Sequence, residues 1–543
     1  MDLILMNGSI HTLDRDNNLV EAVAIKDGKI YGTGSTEEML KLRDNNTKIM
    51  DLKNKAAFPG FNDSHMHLLN YAYSMKKADL IATDSIEDLK NRMTEYMEDK
   101  DIKEGEWLLG RGWNHDKFSG EKIFPDRYDL DEISTLHPIL VTRTCGHVAS
   151  INSKALEIIG ISKASAQIEG GHFDLDEDGE PVGIFRENAL SHVNTCIPSP
   201  NTEEIKEMLV EAVESLSKCG ITSIGSDDLE ALADNDYKKV LRAFKELKDQ
   251  EKLNVRVYEQ CLLANLERYK EFLKSGYRTG DGDYIFKIGP LKILLDGSLG
   301  ARTAALKEAY RGQAENLGIL MFTQEELDQM TQLANNNDCQ IAIHGIGDRA
   351  IEMGLNSIER ALEKKPRADH RHGIVHSQLT NKYIFYKYVK LNALAYIQPI
   401  FLDYDWSIVE DRIGIERSKT SYNWKTMVEM GIHCPMGSDC PVEPFNVMHG
   451  IYEAVTRKDL KGRPEEGWMI DQALSLDQAI YGYTVEGAYA SFEEDVKGRI
   501  EEGMLADIVV LNQNPYKVKA DDIKDISVNM TIMGGKIVYN SSY

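Results

Sequence analysis

Apolar residues recur along this chain at two spacings. From residue 1 to 58 they alternate with polar ones in short runs, "LILMNGSIHTL", "EAVAIKDGKIYGTG" and "TKIMDLKNKAAFPG", broken by turn pairs such as Asp27-Gly28, which is the grammar of strands and hairpins. The same grammar returns near the other end in "ADIVVLNQNP" and "NMTIMGGKIVYN". The ends therefore predict one small β-domain made of 1–58 and 490–543. Between them, over 59–489, eight short apolar or β-branched runs precede helix-like segments: "GFNDSHMH" (60–67), "GITSIGSDD" (220–228), "LNVRVYEQ" (253–260), "LKILLDG" (291–297), "QIAIHG" (340–345), "HGIVHS" (372–377), "NALAYIQP" (392–399) and "GIHCPMGSD" (431–439). Amphipathic stretches such as "EEIKEMLVEAVESLSKCG" and "RAIEMGLNSIERALEKK" separate most of them. Eight strand–helix units predict an α/β chain closed into a (β/α)8 barrel, with an open doubly wound sheet as the alternative on pattern alone.

The first and second runs lie too far apart for one crossover. Residues 75 to 200 contain "EWLLGRGWNHDKF", "PILVTRTCGHVASIN" and the hairpin-like "GGHFDLDEDGEPVGIFREN", and predict an inserted subdomain over the barrel mouth. "DLDEDG" imitates the start of a calcium loop, but Phe185 stands at the twelfth position from Asp174 where a glutamate is required. A turn at Asp178-Gly179 explains it better.

Composition narrows the partners. At 543 residues, 42% hydrophobic and 28% charged, the chain is long enough for a large core and ordinary for a globular protein. A formal net charge of -25 repels phosphate backbones and anionic lipid, so neither nucleic acid nor a membrane surface is expected as a partner. A basic leader and an apolar span are both missing from the pattern, which predicts a cytoplasmic protein. Seven scattered cysteines without a C-x-x-C pair read as reduced thiols.

Histidines gather at the C-terminal ends of the predicted strands, where barrel enzymes keep their active sites. His65 and His67 end the first run; two apart on a strand, they aim both imidazoles one way. His344 closes the fifth run, His376 the sixth, and Asp439 the eighth. Imidazole and carboxylate donors from separate strands are what a catalytic zinc-type site with an open water position requires; the alternative is a satisfied structural cluster. Lys292 is the anomaly, an amine inside the apolar fourth run on the face of Leu294 and Asp296. A free ammonium beside divalent cations is repelled, whereas reaction with carbon dioxide turns the amine into an anionic carbamate able to bridge two metals. The competing explanation is a lysine paired with Asp296 or another carboxylate. His372 reads as core.

These residues, with "FPGFNDSHMH", "LKILLDGSLGARTAAL", "AIHGIGDRAI", "RHGIVHSQL", "MGSDCPV" and "GRIEEGMLADIVVL", resemble the amidohydrolase superfamily, in its YtcJ-like (amidohydrolase family 3) branch that includes N-substituted formamide deformylases. The resemblance spans essentially the whole chain. It implies a metal-dependent hydrolase with a (β/α)8 barrel and a composite β-sandwich built from both termini, and metal ligands at His65, His67, His344, His376 and Asp439, with Lys292 the carboxylated ligand of binuclear members. It further implies one or two divalent ions, zinc by preference. "CGHVASIN" matches a family segment that suggests His147 as a substrate or transition-state contact, although Cys145 replaces the usual acid there. Trp113, Arg302 and Asp348 lie in similar segments and are candidates for the pocket or for loop anchoring.

The function expected is hydrolysis of an amide-like C–N bond in a small molecule, an N-substituted formamide or a cyclic amide among the candidates. Metal-activated hydroxide is the nucleophile and Asp439 the catalytic base. A metal-dependent isomerase or decarboxylase on the same ligands, or a binding protein with a vestigial site, are the alternatives, and a homodimer is compatible with all of them.

Overall fold

In a computed structural model that describes residues 1–263 and 265–541, the alternation at the chain's ends becomes two sheets. One is N-terminal throughout, ordered 29–34, 22–26, 3–6, 48–51. The other mixes the ends: Ile508–Leu511 pairs antiparallel with Ala56–Pro59, so the order runs 536–540, 528–533, 508–511, 56–59, 9–11, 19–20. Residues two apart supply the inner faces. Leu3 and Leu5, Val23 and Ile25, Ile508 and Val510, and Met530 and Ile532 are buried in one shared core, which makes this the composite β-sandwich expected from both termini. The C-terminal contribution starts later than position 490. Residues up to Ala490 still form a helix, and 491–507 is a connection that lends Ile500 and Ala506 to the sandwich core.

The middle of the chain forms the barrel. Seven strands, β1 (Phe61–Met66), β2 (Ile221–Ser226), β3 (Arg256–Leu262), β4 (Phe286–Leu294), β5 (Ile341–Gly345), β6 (Gly373–His376) and β7 (Leu394–Tyr396), pair in parallel, each with its sequence neighbour. Residues 433–439 close the ring. Ala395 and Ile397 donate to the carbonyls of His433 and Pro435, each at 3.0 Å, while Ser64 donates to Met436 at 2.9 Å and Asp439 to the His65 carbonyl at 2.8 Å. This eighth stave is irregular because Pro435 has no N–H to give and Asp439 turns to φ +62°. Gly437 lets it lie against β1, for a Cβ there would stand 2.6 Å from the His65 nitrogen.

Helices follow the strands with the spacing the sequence shows. In Asp348–Lys364, Ile351, Leu355, Ile358 and Ala361 recur at 3.6-residue intervals and are buried. Strand periodicity sets the other half of that contact: Ile341 and Ile343 share one face of β5, Ala342 and His344 the opposite one. Among the described residues no helix is long and apolar enough to cross a membrane.

Residues 72–201 form a compact unit of their own. Its six-stranded sheet is ordered 171–175, 181–187, 148–151, 139–143, 108–113, 78–79. The 171–187 hairpin turns at Gly179 (φ +79°), and Asp176 Oδ1 accepts the amides of Asp178 and Glu180, so "DLDEDG" is a turn and no calcium loop.

Candidate functional site

Four histidines and an aspartate stand at C-terminal strand ends of the barrel. His65 and His67 lie at the end of β1, His344 near the end of β5, His376 at the end of β6, and Asp439 at the end of the closing stave. His376 and Asp439 sit at φ +77° and +62°, backbone conformations that cost energy for side chains of this kind and concentrate at functional sites. The ring centroids of His65 and His67 are 5.2 Å apart, those of His65 and His376 5.8 Å, and those of His344 and His376 4.5 Å. Lys292 enters from β4. Register places it opposite Ala342 and places Leu294 opposite His344, so the amine lies one step deeper than the histidine.

Each imidazole is held the same way. His65 Nδ1 lies 2.7 Å from Gln260 Oε1, His344 Nδ1 3.0 Å from Asp296 Oδ1, and His376 Nδ1 2.9 Å from Gln398 Oε1, while His67 Nδ1 contacts Asp227 Oδ1. An acceptor at Nδ1 fixes the hydrogen there and leaves Nε2 for another partner. Asp439 Oδ1 lies 3.2 Å from His65 Nε2 and 2.9 Å from His67 Nε2. Lys292 Nζ completes the cluster, 2.7 Å from Asp227 Oδ2 and 3.2 Å from His65 Nε2.

Electrostatics follow from burial and these contacts. Burial raises the cost of charge on Asp439, yet His376, His65 and His67 hold its carboxyl well below the usual range. Burial likewise opposes charge on Asp227, and His67 and Lys292 outweigh it, keeping this carboxylate ionised. Burial pulls His67 down, but Asp227 and Asp439 lift it to about 10. His376, buried and beside His344, is held well below its ordinary value, and burial together with Lys292 lowers His65. Asp63, pushed up to about 7 by burial, ties β1 to the closing stave by accepting the amides of Ser438 (3.0 Å) and His65 (3.2 Å).

The donor set fits a divalent cation. The potential ligand atoms of His65, His376 and Asp439, and those of His65, His67 and Asp227, lie within 4.8 Å of one another. The His65 ring turns an unprotonated nitrogen toward a carboxylate oxygen, an arrangement that positive charge between them makes favourable. His344 and Lys292 border these groups.

One carboxylate of the cluster carried no sequence signal of its own, and another has a different partner from the one expected. Asp227, in "GSDD" after β2, is the partner of both Lys292 and His67. Asp296, expected as a partner for Lys292, instead receives His344 and the amides of Ala305, Ile346 and Gly347, because β4 ends at Leu294 and the chain turns away. His372 is buried, accepts the Ile341 amide at 3.1 Å and belongs to the core.

The remaining candidates have other surroundings. Arg302 pairs with Asp411 at 2.9 Å and donates to the Arg311 carbonyl at 3.1 Å, and Asp348 accepts the Lys307 amide at 3.0 Å; both anchor loops. Trp113 is wholly buried in the core of the 72–201 unit, its indole donating to the Val141 carbonyl at 3.1 Å, and offers a ligand no surface. In the same unit His147 is exposed, with Nδ1 3.0 Å from Glu187 Oε2.

Comparison with known proteins gives the family. A family model described as "Amidohydrolase family" matches residues 48–539. The Bacillus subtilis protein YtcJ is 30% identical over 543 residues, all of both chains. The N-substituted formamide deformylase of Arthrobacter pascens is 24% identical over 551 aligned positions, covering 99% of this chain and 98% of its own. A solved metal-dependent hydrolase of Pyrococcus horikoshii OT3 superposes with a TM-score of 0.79 at 28% identity, covering 95% of this chain and 99% of that one. With the fold in common and a family model matching nearly its whole length, this chain belongs to the amidohydrolase family and is a metal-dependent hydrolase.

Proposed function

We propose that the protein hydrolyses an amide-like C–N bond in a small organic molecule, with N-substituted formamides first among the candidates and cyclic amides next. The observation that carries this reading is the common posture of the four site histidines, each held at Nδ1 by an acceptor, with His65, His67 and His376 gathered at Asp439. The full-length similarity to an N-substituted formamide deformylase supports the substrate class. His65, His67, His344, His376 and Asp439 would hold one or two cations, and zinc suits these nitrogen and oxygen donors best. Bound there, a divalent cation supplies the nucleophile by lowering the pKa of water from 15.7 to about 7.

The protein's own groups do the rest. Asp439, kept ionised by its histidines, takes a proton from the attacking water and passes it to the departing nitrogen. The water oxygen bonds to the carbonyl carbon, the C–N bond breaks, and a carboxylic acid and an amine leave. Lys292, in this reading, reacts with carbon dioxide and contributes two carbamate oxygens in place of an ammonium that a cation would repel. The formal charge of -25 and the seven free cysteines support a cytoplasmic enzyme acting on small molecules rather than on nucleic acid or membranes.

The test joins elemental analysis of the purified protein to a screen of N-substituted formamides, N-acyl amines and cyclic amides, read by amine release and by incorporation of oxygen from labelled water. Release with incorporation supports the reading. A cation-loaded protein that cleaves none of the three classes overturns it.

A further inference from the structure

The four acceptors that hold the site histidines differ in charge. His67 and His344 face carboxylates, Asp227 and Asp296, whereas His65 and His376 face the amide oxygens of Gln260 and Gln398. Both glutamines are buried, and each amide is oriented by its own NH2 group, which donates to the Ser64 carbonyl at 2.9 Å for Gln260 and to the Tyr396 carbonyl at 3.4 Å for Gln398. An amide oxygen only accepts, so the hydrogen of each neutral ring sits on Nδ1 and the lone pair on Nε2. The Lys292 amine, 3.2 Å from His65 Nε2, meets that lone pair. Gln260 lies on β3 and Gln398 just beyond β7, two strands from which, among the described residues, no histidine or aspartate enters the cluster.

Neutrality matters at these positions because the barrel end is already crowded with buried acid. Asp63, Asp227, Asp228, Glu259 and Asp439 are all buried, and one oxygen each of Asp63, Asp228 and Glu259 has no hydrogen-bond partner. Glu259 is the chain neighbour of Gln260. A further carboxylate would have to be buried among these acids, where water can neither solvate nor screen it. An amide oxygen fixes the ring without that cost.

We propose that Gln260 and Gln398 are positioning residues that fix the tautomer of His65 and His376, turning Nε2 toward a divalent cation while adding no negative charge to the metal-free site. The inference rests on the metal reading above.

Cobalt(II) titration of the full-length protein against a competing chelator, followed by the visible cobalt spectrum, tests it. Gln260→Met and Gln398→Met should each weaken cobalt binding about 10- to 100-fold and alter the spectrum. Gln260→Glu accepts the same N–H, so it should restore wild-type affinity or better while lowering the unfolding midpoint of the metal-free protein. Methionine variants that bind cobalt as the wild type does, or a Gln260→Glu variant that loses as much affinity as Gln260→Met, overturn the proposal. If Gln260→Met does not fold, Gln398→Met gives the same reading on His376. A wild-type protein that binds no cobalt, zinc or manganese overturns the metal reading beneath it.

Discussion

Lys292 and Asp227 form an ion pair wholly shielded from solvent, Nζ to Oδ2 2.7 Å, with both side chains fully buried. The pair is not symmetric. Asp227 has a second partner in His67, whereas among the described residues Lys292 has beyond it only the lone pair of His65. Breaking a buried pair from one side costs about 3–5 kcal/mol when the survivor is left uncompensated. In the metal-free protein Asp227→Asn should therefore lose about that much in chemical denaturation, and Lys292→Met distinctly less. The reverse order would mean that Lys292 is not an ammonium in the metal-free protein, as when the amine has become an anionic carbamate.

Asp439 is a candidate both for holding the cation and for moving the proton, and substitution can separate the two tasks. Asp439→Asn keeps an oxygen opposite His65 and His67 but cannot take a proton. Positioned acid–base catalysis contributes about 10²- to 10⁴-fold, so kcat should fall by that factor while cation content per chain holds. Elemental analysis beside turnover on whichever formamide or amide the screen yields decides it. A fully loaded variant with near-normal turnover would remove Asp439 as the base.

What could be read in the sequence divides along physical lines. His65 and His67 were legible because a strand aims residues two apart the same way, and His344, His376 and Asp439 because each closes an apolar run. Lys292 was legible as an anomaly, but its partner was not. Spacing pointed to Asp296, two pleats along, yet β4 ends at Leu294 and the true partner comes from another strand end, 65 residues away. Gln260 and Gln398 were silent because a neutral amide near a strand end has no periodicity or charge to mark it. Trp113 was named through resemblance, and only packing shows it spent on the interior of its own unit. The closing stave reads as a strand by pattern, while Pro435 makes it irregular in fact.

The barrel base is joined to the sandwich through a second buried pair. Arg256, at the start of β3, makes a two-pronged contact with Asp507, Nε to Oδ2 2.6 Å and Nη2 to Oδ1 2.8 Å, and Asp507 also accepts the Gly534 amide at 2.7 Å. Asp507→Ala strands the guanidinium with only the Tyr284 carbonyl and orphans an amide, and should cost about 3–5 kcal/mol. The loss should appear as a lower denaturant midpoint with unchanged cation affinity, since no site residue is touched. A drop in cation affinity instead would show that the sandwich contact governs the geometry of the site.

A third buried contact makes stability depend on acid. Glu493 lies between Lys287 (2.5 Å) and Lys497 (2.6 Å); burial raises the cost of its charge, but the two lysines prevail and hold it down to about 2 from an ordinary 4.5. Because the folded value is depressed, the stabilisation is complete above the unfolded value and disappears as pH falls from about 4.5 toward 2; a gap of roughly two and a half units corresponds to about 3 kcal/mol. The chain's many other acids also titrate in that range, so the informative quantity is the difference between wild type and Glu493→Gln. That difference should be full at pH 7, still nearly full at pH 5, and shrink steadily below pH 4.5 as the wild-type carboxylate takes up its proton. Denaturant midpoints measured at half-unit steps from pH 7 to pH 3 check it. Two curves that stay parallel down to pH 3 would show that Glu493 is not titrating between its lysines as described.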